Sequence, residues 1–245
     1  MYYQKGHAII LLEQSKGDDI LSLSGGQLAG GNTTTKRADE DYYATDPQAV
    51  LKIIKELTIE TGIICTKSFE AILEPCVGEG HIIDGLQLFA DYLWEEGLNQ
   101  NKSNRIPMRG SNTITALDIV DRGYPNTIVT DFLKWQTDKK FGLIITNPPY
   151  YCAKDFIEKS MGLLEPDGTI CMYLKLQFLE GKNRKYLFDK YPPKYIYVMR
   201  NRTPTWKNGN PVNPDTGKKW AETICFAWFV WQKNSKAEPI IRWLD

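Results

Sequence analysis

The sequence predicts an α/β fold in which a mainly parallel, seven-stranded sheet carries helices on both faces. Three observations support this prediction. Strand-like and helix-like patterns alternate from residue 69 onward, as in βαβ units. Hydrophobic residues make up 42% of the 245 residues, which supplies a large core. Unusual residues follow four of the strands, at the edge where parallel sheets bind ligands.

The predicted elements follow one another along the chain. A helix begins at Pro47, which suits a first helical turn, and continues with apolar residues at helical spacing towards Gly62. Further helices are predicted over residues 81–94, 153–164 and 182–190. The seven predicted strands cover residues 71–73, 113–117, 127–129, 143–146, 169–174, 195–199 and 225–231.

Residues 1–40 are predicted to form a flexible leader and residues 41–245 one folded domain. The leader is rich in Gly, Ser and Thr and offers little to bury. Within the domain, residues 97–110 form a polar insertion and residues 208–218 a loop of Gly, Pro and Asn. No apolar run approaches the roughly 20 residues of a membrane helix, and no export signal begins the chain, so no membrane contact is expected.

Cysteine and histidine usage restricts the chemistry. The five cysteines form no CxxC pair and are odd in number, which argues against a disulfide framework and a structural zinc and favours a reducing, cytoplasmic setting. His7 and His81 are the two histidines, so imidazole-based triads and multi-histidine metal sites have almost no ligands to draw on. No metal site is therefore predicted.

Charge is unevenly distributed along the chain. The overall net charge is zero, but residues 1–174 carry a net charge of −8 and residues 175–219 a net charge of +8. Lysine and arginine alternate with tyrosine and tryptophan in this late segment, which suits phosphate neutralisation and base stacking. The segment is predicted to face nucleic acid, with a set of solvated faces as the alternative.

Four strand ends carry unusual residues, and the first is a glycine-rich turn. Glu74 and Pro75 lead into Gly78 and Gly80, which allow a tight turn and a close ligand approach before a helix. A dinucleotide pattern would place a third glycine where Ile83 stands, so a pyrophosphate cradle is disfavoured. A plain strand-to-helix turn is the alternative.

Carboxylates close the next two strands. Asp118 can accept both hydroxyl protons of a ribose, as in adenosine-type ligands, or it can cap a helix. Asp131 can accept from an exocyclic amine while Phe132 stacks on a purine.

The fourth strand ends in Asn147-Pro148-Pro149-Tyr150, the strongest signal in the sequence. The two prolines stop both strand and helix and hold their carbonyls in a fixed direction. The side-chain oxygen of Asn147 and the backbone oxygen of Pro148 can together accept both protons of a substrate NH₂ group. Tyr150 offers a face for a planar base or amide, and a structural Pro-Pro turn is the alternative.

Over about residues 42–231, these segments resemble the class I S-adenosylmethionine-dependent amino-methyltransferases, especially DNA adenine N6-methyltransferases. The resemblance implies a Rossmann-like fold, S-adenosylmethionine as cofactor and DNA as partner. It implies catalytic roles for Asn147, Pro148 and Tyr150. The cofactor-binding residues that it implies are Tyr43, Thr45, Pro47, Glu74, Pro75, Gly78, Gly80, Asp118, Asp131, Phe132 and Asn147. The substrate-binding candidates are Pro149, Tyr150, Lys175, Arg202 and Trp206.

The resulting hypothesis is methyl transfer to adenine N6 in DNA. The cofactor turn precedes the tetrapeptide, as in the gamma arrangement of these enzymes, and residues 202–231 resemble the C-terminal part of phage-type members. The adenine amine is a weak nucleophile because its lone pair is delocalised, and hydrogen bonds to Asn147 and to the Pro148 carbonyl would favour a tetrahedral nitrogen. A base in a duplex must be extruded into the pocket, where Tyr150 and Trp206 would replace its stacking.

Other interpretations stay open. The same tetrapeptide serves amino-methyltransferases that act on RNA or on a glutamine side chain in protein. A catalytically silent module that binds nucleic acid or a partner would keep the fold without turnover. A nicotinamide dehydrogenase is disfavoured by Ile83. The sequence also leaves open which DNA site is recognised, and whether the chain forms a homodimer or works beside a restriction enzyme.

Overall fold

An eight-stranded sheet organises the described part of the chain. The structure is a computed structural model that describes residues 42–98, 110–201, 203, 205–220 and 224–245. The predicted leader, most of the polar insertion and Arg202 lie outside these ranges.

Within these ranges, four α-helices accompany the sheet. They are α1 (Pro47–Lys55), α2 (His81–Glu95), α3 (Ala153–Leu163) and α4 (Lys185–Lys190). Pro47 occupies the first turn of α1, and the side chain of the cap residue Asp46 accepts a hydrogen bond from the Gln48 N–H at 2.9 Å. A π-helical turn, Glu56–Glu60, extends α1 to within two residues of the predicted end at Gly62. Short 3₁₀ turns cover Thr66–Glu70, Leu176–Leu179 and Lys182–Arg184.

The strands divide into a central sheet and a small ribbon. They are β1 (Tyr43–Ala44), β2 (Ile72–Glu74), β3 (Ile114–Asp118), β4 (Ile128–Val129), β5 (Phe141–Thr146), β6 (Leu164–Lys175), β7 (Tyr195–Met199), β8 (Trp206–Lys207), β9 (Phe226–Gln232) and β10 (Ile240–Leu244). The central order is β10-β7-β9-β6-β5-β2-β3-β4, and β1 pairs with β8 as a separate antiparallel ribbon. In the central sheet β9 is antiparallel to its neighbours, whereas the other pairs are parallel.

Two cores lie on opposite faces of the central sheet. Successive strand side chains point to opposite faces, so Leu143 and Ile145 pack with α1 and α2 while Ile144 packs with α3. Every residue of β5 is buried, as expected for a parallel strand that is covered on both sides. The strand order reverses beside β2, because β3 and β4 follow on one side of it and β5 on the other. Such a reversal opens a crevice at the carboxyl ends of the strands.

The predicted fold class is confirmed. Each of the seven predicted strands is present, with ends shifted by a few residues, and the predicted helix over 182–190 consists of a 3₁₀ turn followed by α4. The sequence did not predict the two ribbon strands, β1 and β8. It also did not predict β10, which pairs in parallel with β7 and makes the central sheet one strand wider. Among the described residues, none of the helices is long and apolar enough to cross a bilayer.

Candidate active site

A cavity of about 210 Å³ lies at the carboxyl ends of β2, β3 and β5, where the strand order reverses. Its wall comes from residues 42–45, the turn after β2, the ends of β3 and β4, and the turn after β5. The structure brings eight predicted site residues together in this wall: Tyr43, Thr45, Pro75, Asp118, Asp131, Phe132, Asn147 and Pro149.

The other predicted residues lie outside the cavity wall. Glu74 is the buried last residue of β2, and Pro47 begins α1. Pro148 lies in the turn after β5, between two residues of the wall. The remaining ones in the described ranges are Gly78, Gly80, Tyr150, Lys175 and Trp206. Within those ranges, no group of three or more His, Cys, Asp or Glu side chains is arranged to hold a metal ion.

Asp118 fixes the glycine turn. Its Oδ2 accepts a hydrogen bond from the Gly78 N–H at 2.8 Å, and its Oδ1 accepts one from the Val120 N–H at 3.0 Å. The residue is 8% exposed and lines the cavity. Because a carboxylate has about four acceptor positions, two backbone contacts leave acceptor capacity for a ligand. Asp118 can therefore hold both the turn and a pair of ligand hydroxyls.

Tyr42 packs on the same turn, in a contact that requires glycine. The φ of Gly78 is +54°, and a Cβ at this position would overlap the Tyr42 ring. The Tyr42 hydroxyl accepts a hydrogen bond from the Glu79 N–H at 3.1 Å and lies 3.3 Å from Nδ1 of His81. The Arg122 guanidinium lies 4.3 Å from the ring centroid. Burial raises the pKa of Tyr42 to about 12, so the hydroxyl stays protonated at neutral pH.

Glu74 is a fully buried acid behind the cavity. Its Oε1 accepts a hydrogen bond from the Cys76 N–H at 3.0 Å. Burial raises the pKa of Glu74 to about 8, although contacts with Thr146 and Cys76 oppose the rise. A carboxyl with this pKa is mostly protonated at neutral pH.

The turn after β4 is held from α3. Asp131 Oδ1 accepts a hydrogen bond from the Leu133 N–H at 2.9 Å, which closes the turn beside Phe132. Lys159 of α3 donates to the carbonyls of Leu133, at 3.1 Å, and Trp135, and its Nζ lies 5.2 Å from the Phe132 ring centroid. Lys159 thereby positions the predicted adenine-binding pair without lining the cavity itself.

Asn147 is anchored through its amide nitrogen. Nδ2 donates a hydrogen bond to the backbone oxygen of Tyr43 at 2.8 Å. A carbonyl can only accept, so this contact fixes which end of the amide faces Tyr43. Oδ1 is then the acceptor that the side chain can offer to a ligand, beside the turn of Pro148 and Pro149.

Two tyrosines follow the prolines, in different environments. Tyr150 is half-buried, with its ring centroid 5.9 Å from that of Phe226 and 4.9 Å from Nζ of Lys175. Tyr151 lines the cavity and is 80% exposed. Tyr150 remains a predicted stacking residue, and Tyr151 is a further candidate for that role.

Trp206 and the other described residues of the late basic segment do not line the cavity. The Trp206 ring meets His81 edge-on, with centroids 5.4 Å apart. Several cations of the segment bind protein groups: Lys185 pairs with Asp189, Lys194 with Gln232, and Arg200 with Asp245. These three side chains already have protein partners. Nucleic-acid contact by residues 175–219 remains a prediction.

Sequence reasoning missed several residues of the wall. Tyr42 adjoins the predicted Tyr43, but only the close packing on Gly78 reveals its role. His81 carried the signal of a helix start, and it lines the cavity. Arg122 belongs to a loop without a pattern. Other lining residues that were not predicted are Ala44, Cys76, Val77, Ile82, Ile119, Thr130, Leu133, Tyr151, Cys152 and Phe156.

Sequence comparisons find no relative. No family model matches the chain, and no curated protein is similar to it in sequence. The likeness to known proteins therefore lies in the structure.

Solved structures share this arrangement of strands and helices. A Listeria monocytogenes protein described as a class I S-adenosylmethionine-dependent methyltransferase is 14% identical over 89% of this chain and 71% of that one, with a TM-score of 0.54. The Type ISP restriction-modification enzyme LlaGI, in complex with a DNA substrate mimic, is 15% identical with a TM-score of 0.55. The Type IIL restriction-modification enzyme MmeI, in complex with DNA, is 10% identical with a TM-score of 0.54.

The extent of these matches differs between the two chains. The matched part covers 86% of this chain and 28% of LlaGI, and 85% of this chain and 39% of MmeI. This chain thus spans well under half the length of the two restriction-modification enzymes. At these identities the likeness establishes the fold. The chain has the Rossmann-like α/β fold of the class I methyltransferases.

Proposed function

We propose that the chain is an S-adenosylmethionine-dependent methyltransferase that acts on the N6 amine of adenine in DNA. The observation that carries the proposal is the anchored amide of Asn147. Its Nδ2 is held by the Tyr43 carbonyl at 2.8 Å, which leaves Oδ1 as an acceptor in the wall of a cavity that also contains Asp118. The site thus joins an acceptor for an amine to a carboxylate for a ribose.

The residues present fit the cofactor. Thr45 is 2% exposed and lines the cavity, and its Oγ1 has no hydrogen-bond partner among the residues that the structure describes. A buried hydroxyl of this kind is costly unless a ligand satisfies it. Asp118 would hold the ribose hydroxyls, Asp131 and Phe132 the adenine, and Thr45 the methionine end. When bound, S-adenosylmethionine supplies a methyl group on a positively charged sulfur.

The chain's own task is to orient the substrate amine. Asn147 Oδ1 and the Pro148 carbonyl would each accept one of its two protons, which favours a tetrahedral nitrogen and directs its lone pair into the cavity. After the nitrogen gains a fourth bond it is positively charged and acidic, and one proton leaves to solvent. The site therefore needs no basic side chain to remove a proton before transfer.

DNA is proposed as the substrate on two grounds. The tetrapeptide and its neighbours resemble DNA adenine methyltransferases, and LlaGI and MmeI, which share the fold, were each determined with DNA or a DNA mimic. Lys175, next to the Tyr150 ring, would add a cation for a phosphate beside the extruded base.

The test is transfer of labelled methyl groups to unmethylated DNA, RNA and a glutamine-bearing protein in parallel. We expect label in DNA, at adenine N6 after digestion to nucleosides. Asn147→Ala should abolish transfer while calorimetry still detects cofactor binding. Transfer to RNA or protein alone would replace the proposed substrate, and failure to bind S-adenosylmethionine would overturn the proposal altogether.

A further inference from the structure

We infer that the ribbon of β1 and β8 positions Asn147 and thereby selects exocyclic amines over oxo groups as substrates. The hydrogen bond between the Asn147 amide and the Tyr43 carbonyl is observed in the structure. Its consequence for the choice of substrate rests on the proposed function. Asn208 follows β8 and is the positioning residue in this arrangement. It lies outside the cavity wall.

The register of the ribbon directs the Tyr43 carbonyl. Tyr43 pairs with Lys207, and the Asn208 N–H donates to the backbone oxygen of Tyr42 at 3.0 Å. In antiparallel strands, hydrogen-bonded residue pairs alternate with non-hydrogen-bonded pairs. The N–H and C=O groups of Tyr43 therefore face the side opposite to those of Tyr42. The Tyr43 carbonyl therefore points away from β8, and there it accepts from Asn147 Nδ2 at 2.8 Å. Pairing with β8 thus fixes the rotation of the peptide that holds Asn147.

The orientation of the Asn147 amide decides which substrate group it can bind. With Nδ2 held by the Tyr43 carbonyl, the amide offers Oδ1, which suits a group that donates protons. A reversed amide would direct its N–H groups at the substrate. These donors suit an oxo group, which accepts hydrogen bonds, but they would face the N–H donors of an amine and repel them. The Tyr43 contact excludes that reversed orientation.

The turn after β8 is built to hold this register. Asn208 has a φ of +52° and Gly209 a φ of +75°, and the Asn210 N–H donates to the Lys207 oxygen at 3.2 Å. Two consecutive positive φ values define a type I′ turn, for which Asn-Gly is the favoured pair.

The same loop also contacts the glycine turn after β2. A Cβ on Gly209 would overlap the carboxylate of Glu79, and the Trp206 ring lies edge-on to His81. The segment around β8 therefore contacts the glycine turn and, through Tyr43, the catalytic amide.

The test compares variants of this turn in the full chain. Asn208→Pro removes the N–H that reaches Tyr42 and cannot adopt a positive φ, whereas Asn208→Gly keeps both features. Asn208→Ala keeps the N–H but strains φ, and it decides the test if the proline variant does not fold. Asn234→Pro is the matched control, because it makes the same change at an asparagine with a φ of +64° in the turn after β9.

The first readout is the side-chain amide of Asn147 in the ¹H–¹⁵N spectrum of the ligand-free protein, identified by its loss in Asn147→Asp. We expect one Nδ2 proton to shift little with temperature in the wild type, Asn208→Gly and Asn234→Pro, as a hydrogen-bonded proton does. In Asn208→Pro, and to a smaller degree in Asn208→Ala, both protons should behave as solvent-exposed.

The second readout is kcat at saturating cofactor and DNA. We expect a fall of roughly 10- to 100-fold in Asn208→Pro, the scale of a slightly misplaced catalytic group. Asn208→Gly should fall least among the variants of this residue, and Asn234→Pro should match the wild type.

The two readouts separate the inference from the proposed function. An Asn147 amide signal that is unchanged in Asn208→Pro, or in Asn208→Ala where the proline variant is unfolded, overturns the inference. A changed signal with unchanged kcat overturns the role of the ribbon in catalysis. A changed signal in a protein whose wild type transfers no methyl group to any amine supports the positioning contact and overturns the proposed function instead.

Discussion

Asp118 and Gly78 are joined by a hydrogen bond between the ends of neighbouring strands, in which the Gly78 N–H donates to Asp118 Oδ2 at 2.8 Å. β2 and β3 are adjacent and parallel, so their carboxyl ends meet at one edge of the sheet. The acid that is proposed to hold the cofactor ribose therefore also determines where the glycine turn lies. A change at Asp118 should affect both features.

Asp118→Asn tests this double role. The amide can accept at one atom only, so its NH₂ end would face a backbone N–H, from either Gly78 or Val120. We expect a loss of about 1–3 kcal/mol in the free energy of unfolding and cofactor binding weakened by roughly 10-fold or more. Denaturant titration and calorimetry measure the two effects. Asp121→Asn is the control, because exposed Asp121 also accepts a backbone N–H, from Gly123 at 2.9 Å. Equal effects of both substitutions would refute the role of Asp118.

Gly78→Ala tests the packing of Tyr42 on the turn. A Cβ at Gly78 would both overlap the Tyr42 ring and strain a φ of +54°. Gly62 has a φ of +64° and open space around the missing Cβ, so Gly62→Ala carries the backbone strain alone, about 1–2 kcal/mol. We expect Gly78→Ala to lower the free energy of unfolding by about 1–3 kcal/mol more than this control.

Tyr42→Ala combined with Gly78→Ala should recover part of that difference, because the overlap is gone. The comparison is a double-mutant cycle followed by denaturant titration. A cycle with no coupling between the two positions would show that the ring and the turn are independent.

The buried strands were predictable from sequence, whereas β10, at one of the two edges of the central sheet, was not. Each position of β5 is buried, and in β9 only Gln232 is not, so both strands read as continuous apolar runs. β10 lies at the sheet edge, where Ile241 and Trp243 are exposed, so burial leaves no clear pattern in its sequence. It also follows closely on Pro239, which is typical of a strand boundary.

The site residues divide in a similar way. Asp118, Asp131 and Asn147 lie at strand ends or within two residues after them, and a parallel sheet brings those ends together at one edge. Tyr42 and Arg122 reach the cavity from an N-terminal segment and a loop, and their positions depend on tertiary contacts such as the packing on Gly78. The spacing of residues in the sequence does not predict such contacts.

Glu74 should make the stability of the protein depend on pH. Burial raises its pKa to about 8 from an ordinary value of 4.5, so the folded state retains a proton that the unfolded state loses between these values. The resulting stabilisation is complete below the ordinary value and is lost as the pH rises through about 8. We expect the wild type to lose stability over this range.

Glu74→Gln mimics the protonated acid and removes this dependence. Its free energy of unfolding, relative to the wild type, should rise steadily between about pH 5 and pH 8. Urea titrations at several pH values measure the difference. Glu60→Gln changes an exposed acid of the π-helical turn and serves as the control. Parallel curves for Glu74→Gln and the wild type would contradict a raised pKa.

Substitutions of Tyr150 and of Tyr151 should differ in their effects on protein stability and on substrate binding. Tyr150 packs against Phe226 and lies beneath Lys175, so Tyr150→Ala should cost about 1–3 kcal/mol of folding free energy as well as activity. Tyr150→Trp should be milder than Tyr150→Ala, because it keeps a stacking face.

Tyr151 is 80% exposed, so Tyr151→Ala should leave the free energy of unfolding almost unchanged. The same substitution should raise the KM for DNA, because stacking on an aromatic ring contributes about 1–3 kcal/mol per base. Thermal unfolding and steady-state kinetics on the same preparations distinguish the two residues. If Tyr151→Ala leaves KM unaltered while Tyr150→Trp keeps wild-type turnover, the base stacks on Tyr150 alone, and the exposed ring of Tyr151 has no part in holding it.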